Sequence, residues 1–185
     1  MKIGLTAGAD PKARHAALLD ARAAALAARR AGEEETVETA AYLVCACGPE
    51  RYGLSLAAVA GVALERPCTG LPGAPPALKG ITAVSGAIVS VLDLASCLGL
   101  GTKGEDETGH VVRLRVQEPP VALAVDRALG IAHIDAALAR PTARPESLGR
   151  GPLSGYAPPG SDRTGDIREG FSLVDLPALL ARFTT

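Results

Sequence analysis

Four cysteines, three histidines and two similarly placed aspartates are the residues that could do chemistry in this chain. Cys45 and Cys47 are one residue apart, while Cys68 and Cys97 stand alone. A zinc knuckle draws on C-x2-4-C spacing, which neither the tight pair nor the isolated cysteines supply. His15, His110 and His133 are scattered. No metal site and no cofactor is therefore expected. A Cys–His nucleophile pair stays open, because such partners meet only in the folded chain. The competing reading is that cysteines in alternating strands serve as small core hydrophobes. Asp93 and Asp175 raise the idea of a carboxylate pair for acid–base work. Each instead follows an apolar run and precedes a second one, in Val91-Leu92-Asp93-Leu94 and Leu173-Val174-Asp175-Leu176. Both are expected to cap helices. No G-x-S-x-G elbow and no phosphate-binding G-x-x-x-x-G-K-[ST] loop occurs.

The elements that must position these residues follow from periodicity. Asp10-Pro11 opens a helix and Gly32 closes it. Residues 1–32 carry six positive and two negative charges, and Glu33, Glu34, Glu35 and Glu38 follow. Residues 1–38 thus read as a helical arm and acidic linker, either solvated or docking a partner, and 39–185 as the main domain. From Thr39 the period changes to two. Tyr42, Val44 and Ala46 alternate with Leu43, Cys45 and Cys47, which places both cysteines on one strand face. Further strands are expected at 52–56, 59–64, 80–84, 87–92, 110–116, 121–125, 130–134 and 171–174. Short helices are expected after Asp93 and over 176–183. Residues 67–76 hold four prolines and two glycines and read as a rigid loop. Residues 139–166, with five of each, read as the longest irregular stretch.

The run Ile81–Gly101 carries one charge in 21 residues, near the length of a membrane helix. Its β-branched residues and the Ser85-Gly86 break fit two buried strands and a short helix better. No direct membrane insertion is expected. The N-terminus lacks the apolar stretch of a secretory signal, so a cytoplasmic protein with reduced thiols is expected.

Composition narrows the partners. The chain has 185 residues, with 19 Lys+Arg against 20 Asp+Glu and a net charge of −1. Duplex binding normally needs a basic surplus, so nucleic acid is disfavoured. Three Tyr, two Phe and no Trp leave little for base stacking or for an SH3-type polyproline groove.

Two segments echo one another. Residues 53–62 (GLSLAAVAGV) resemble 122–131 (ALAVDRALGI), and 91–98 (VLDLASCL) resemble 173–180 (LVDLPALL). Short strands and glycine-rich turns suggest small barrels. Two echoing sets suggest two of them, packed with a groove between them.

The segments AAYLVCACGPERYGLSLAAVAGVA, LPGAPPALKGITAVSGAIVSVLDLASCLGLG, PVALAVDRALGI and FSLVDLPALL resemble, in order over about 39–183, the CheW-like domain of bacterial chemosensory systems. The resemblance implies two packed five-stranded SH3-like β-barrels, mainly β, with a short C-terminal helix and no catalysis. It implies an adaptor coupling a methyl-accepting chemoreceptor tip to a histidine kinase regulatory domain. It places Leu56, Val59 and Val62 near the partner surface of the first barrel, and Val84 and Ser85 on an adjacent turn. The family usually has Arg where Ser85 stands, often an acid at Gly61, and frequently a proline at Ser90. Losing that Arg removes a bidentate donor. Two readings follow: a coupler whose partners changed with it, or a paralogue that binds one partner and acts as a decoy. A cysteine-dependent enzyme is the remaining alternative.

Overall fold

Leu43, Cys45 and Cys47 of β1 (Thr39–Cys47) enter one apolar cluster, and Tyr42 and Val44 enter another. The alternation read from the sequence is therefore real, and its two faces meet two different cores. The computed structural model describes residues 38–101, 109–115, 118–139 and 152–183. Glu38–Thr185 forms one compact unit. The arm expected over 1–38 lies, apart from Glu38, outside the described residues.

β2 (Glu50–Ser55) returns along β1. A 3-10 turn (Leu56–Ala58) then leads into β3 (Val59–Leu64), β4 (Leu78–Val84), β5 (Ala87–Asp93) and α1 (Leu94–Leu98). β6 (His110–Leu114), β7 (Val121–Val125), β8 (Arg127–Asp135) and α2 (Ala136–Ala139) follow, then β9 (Leu153–Ala157), β10 (Phe171–Val174) and α3 (Leu176–Leu180). One sheet runs β8-β1-β2-β10-β9 and the other β3-β6-β7-β5-β4. These are the two five-stranded units expected. The run Ile81–Gly101 contains the end of β4 and all of β5 and α1, and no helix among the described residues is long and apolar enough to cross a membrane.

Several boundaries differ from expectation. β2 starts at Glu50 rather than Tyr52, β4 at Leu78 rather than Gly80 and β8 at Arg127 rather than Gly130, while β6 stops at Leu114 and the last helix at Leu180 with turns to Phe183. β9 lies inside the stretch read as irregular. Its Leu-Ser-Gly-Tyr-Ala sequence has no β-branched residue and sits among prolines and glycines. Pairing with β10 makes it a strand, so tertiary context outweighs local propensity.

The echo is an internal duplication at the level of registers. Val44 lies opposite Gly53 and Gly130, and Arg113 lies opposite Ala122 and Gly61. Each of Val44, Gly53 and Gly61 is 69 positions before its counterpart Arg113, Ala122 or Gly130. Both sheets even carry the same one-residue bulge, with Ala60 extra in β3 and Leu129 extra in β8. Val91 and Leu92 face Gly80 and Leu78, while Leu173 and Val174, 82 positions on, face Gly155 and Leu153.

The largest cluster lies between the sheets. Leu43, Cys45 and Leu54 meet Leu92, Val112 and Leu123, together with Leu94 of α1 and Leu176 and Leu179 of α3. Smaller clusters fill each barrel, around Phe171 and Ile134 in one and around Val89, Val91 and Val111 in the other. Both helices that seal the seam start as predicted. Asp93 accepts the Ser96 N–H at 2.9 Å and its hydroxyl at 2.6 Å, and Asp175 accepts the Ala178 N–H at 3.0 Å.

Loops complete each barrel. Thr69 bridges Ile81 of β4, exchanging bonds of 2.8 and 3.0 Å. On the other side the Asp162 carboxylate accepts the His133 N–H of β8 at 2.9 Å and the Ile167 N–H at 2.9 Å. It also accepts the Thr164 hydroxyl at 2.7 Å and the Thr164 N–H at 3.2 Å. Burial alone would raise its pKa. The Ile167, Thr164 and His133 donors outweigh that and hold it well below the usual carboxylate range.

Candidate partner interface

The 3-10 turn Leu56–Ala58 carries the chain from one barrel to the other. Arg115, just past β6, fixes it: its N–H donates to Ala58 O at 2.7 Å and its Nη2 to Val59 O at 2.9 Å. Beside this corner lies a cleft of about 330 Å³, lined by Ala58, Leu114, Arg115 and the α3 residues Leu176, Pro177 and Leu180. Its walls are apolar and its one charge is a guanidinium.

A corresponding cleft of about 300 Å³ lies at the other corner. Gly48 to Glu50, Ala95, Leu100 and Asp126 line it. The Gly48 N–H donates to Asp126 Oδ2 at 2.6 Å, and the Tyr52 hydroxyl donates to Glu50. The two clefts thus carry opposite charge: Arg115 in one, Glu50 and Asp126 in the other.

The five residues singled out in the sequence fall on the 3-10 turn, β3, β4 and the β4–β5 turn. Leu56 is half-buried against the main core, and Val59 is 7% exposed within it. Val62 lies opposite Val112, a main-core residue, and Leu64 lies opposite His110. Opposite residues of an antiparallel pair project to one side, so Val62 and Leu64 share the face that Val59 buries. Exposure climbs along this row from 7% at Val59 to 42% at Val62 and 65% at Leu64. The core surface therefore runs out into solvent along β3. Leu64 was not singled out from the sequence, because only the bulge at Ala60 reveals its face.

Val84 packs on the second barrel's core, and Ser85 is exposed at the β4–β5 turn. Ser85 has φ 52° and Gly86 φ 81°, the backbone of a type I′ hairpin turn. Ile88 beside it is 70% exposed, also beyond what the sequence signalled.

The thiols behave as packing groups. Burial pushes Cys45, Cys47 and Cys97 up to about 12, helped at Cys47 by Asp126 and at Cys97 by Asp93. Thiols held there are protonated at neutral pH and poor nucleophiles. Among the described residues no three His, Cys, Asp or Glu side chains cluster as metal ligands. Asp93 and Asp175 serve as caps. Gly99-Leu100-Gly101-Thr102-Lys103-Gly104 spells G-x-G-x-x-G. Gly99 closes a helix with φ 79°, whereas dinucleotide binding needs a strand running into a helix at that point.

Twin barrels share one core, and clefts and an apolar ledge lie along their seam. The chain belongs to the CheW-like domain family, whose model matches residues 41–183. That family comprises chemotaxis scaffolds and adaptors rather than enzymes. In fold the chain is similar to the scaffolding protein TtCheW from Thermoanaerobacter tengcongensis, with a TM-score of 0.63 and 21% identity over 76% of this chain and 92% of that one. No curated protein matches the chain in sequence.

Proposed function

We propose that this protein is a non-enzymatic adaptor that couples methyl-accepting chemoreceptors to a histidine kinase by holding both in one geometry. The observation that carries this reading is the row Val59–Val62–Leu64, which extends the shared core into solvent beside the Arg115 cleft. Removing such apolar area from water contributes about 25 cal/mol per Å². In this reading Leu56 and Val59 shape the ledge from below, Val62 touches the partner, and Val84 and Ser85 form a separate contact at the hairpin turn. The opposite charges of the two clefts suit two different partners, since rim charges govern choice and rate more than affinity.

Pull-downs at ordinary salt with a kinase regulatory domain and with a receptor tip test the reading. Retention of at least one is expected, and loss of both would end it. Ser85, at a turn where the family resemblance implies Arg, favours a second reading in which one contact is lost and the protein insulates rather than couples. A kinase assay with receptor present separates the two. A coupler raises the rate, whereas a single-partner binder leaves it unchanged or lowers it.

A further inference from the structure

Four strand ladders join residues 38–101 to residues 109–183: β1 with β8, β2 with β10, β3 with β6 and β5 with β7. Four others, β1–β2, β4–β5, β6–β7 and β9–β10, lie within one half. Each half thus gives a hairpin to one barrel and three strands to the other. Neither half closes a barrel. The cores are shared in the same way, with Tyr42 and Val44 against Ile134 and Phe171, and Val89 and Val91 against Val111 and Ala122.

The surface complementary to either half is therefore the other half, and one covalent link joins them. That link, residues 102–108 (TKGEDET) between Gly101 and Gly109, contains four charged residues, a further glycine and no apolar residue.

We propose that two copies of this chain exchange halves, so that residues 38–101 of one copy complete both barrels with residues 109–183 of the other. Every ladder and cluster named above is the same in the monomer and in the exchanged dimer. The link and the protein concentration decide between them, the usual condition for domain swapping. The dimer carries two complete seams, which makes it bivalent. The exchange itself does not depend on what the seams bind.

Thr39 faces Asp135 across β1 and β8, and Leu64 faces His110 across β3 and β6. Both pairs span the two halves at separations a disulfide can bridge. In full-length protein with Cys68→Ser, one preparation carries Thr39→Cys and the other Asp135→Cys. They are unfolded together, refolded at high concentration and oxidised. A reducible covalent dimer is expected, and it is expected to be at least tenfold scarcer when the two proteins are mixed already folded. Single chains carrying both cysteines report whether each pair can close, and Leu64→Cys with His110→Cys repeats the experiment at a second place. If a pair closes within one chain yet gives no interchain bond after joint refolding, the halves do not exchange. Equal yields from folded and refolded mixtures would mean collision rather than exchange, and would also overturn the proposal.

Discussion

Gly53 lies directly opposite Leu173 in the parallel ladder between β2 and β10. The duplicated counterpart is Ala122 opposite Val91 between β7 and β5. The two pairs hold the same place in the two barrels, yet one has no side chain. The reason is Phe171, which fills the space above Gly53 and is 1% exposed.

Gly53→Ala is expected to destabilise the fold. Its Cβ would lie 2.7 Å from Phe171 Cε2 and 3.3 Å from Leu173 Cδ2. Forcing a buried ring aside costs about 1–3 kcal/mol. Thermal unfolding should show a fall of roughly 3–10 °C. An unchanged midpoint would mean that the Phe171 ring has room to move.

Gly80 and Gly155 should rank in a fixed order, although they hold equivalent places. A Cβ at Gly80 would sit 2.2 Å from Thr69 O, and the residue has φ 140°. At Gly155 the nearest atom is Leu138 O at 3.0 Å. Gly80→Ala meets both a backbone clash and a strained dihedral, and should cost about 3 kcal/mol or more, against about 1 kcal/mol for Gly155→Ala. Urea midpoints check the order, and the reverse order would contradict the Thr69–Ile81 bridge.

Asp162 should govern acid stability. Its folded pKa is depressed, so its contribution is fully present above the unfolded value near pH 4 and is lost as pH falls toward the folded value. Asp162→Asn should weaken the protein by about 1–3 kcal/mol at pH 7 and flatten the decline below about pH 4. Urea melts from pH 2 to pH 8 decide the matter. Parallel acid limbs in parent and variant would remove Asp162 from that role.

The ledge should matter for binding more than for folding. Leu64→Asp, at a site 65% exposed, should lower affinity for the kinase domain or the receptor tip about tenfold with little change in melting temperature. Arg115→Ala should weaken the same complex, and Ser85→Arg should alter binding by the partner that uses the hairpin turn. Calorimetric titration of each variant checks this. Affinity within about twofold of the parent for Leu64→Asp would exclude the ledge from the interface.

Much of this architecture was legible in the residues. The two-residue period from Tyr42 to Cys47 placed the cysteines on one face, and the Asp after each apolar run announced α1 and α3. The echoes at 53–62 and 91–98 pointed to a pair of similar units. What lay beyond reach was long-range pairing. β9 carries too little β-branched character to stand out, and its strand form comes from β10. The faces of Val62 and Leu64 depend on the bulge at Ala60, and strand period alone would have assigned Val59 and Val62 to opposite faces. Ile88 reads as another buried strand residue until the hairpin tip is seen to project.

Ala60 also sets how sturdy the proposed ledge is against change. A strand counts its sides in twos, and this one additional residue shifts the count for everything downstream of it. Deleting it would rotate Val62 and Leu64 toward the barrel interior and turn Gly61 and Ala63 outward. The greasy rim would vanish although Val62 and Leu64 both remain in the chain. The adhesive character of this flank is thus a matter of parity more than of composition, and Leu129 imposes the same parity on the opposite flank.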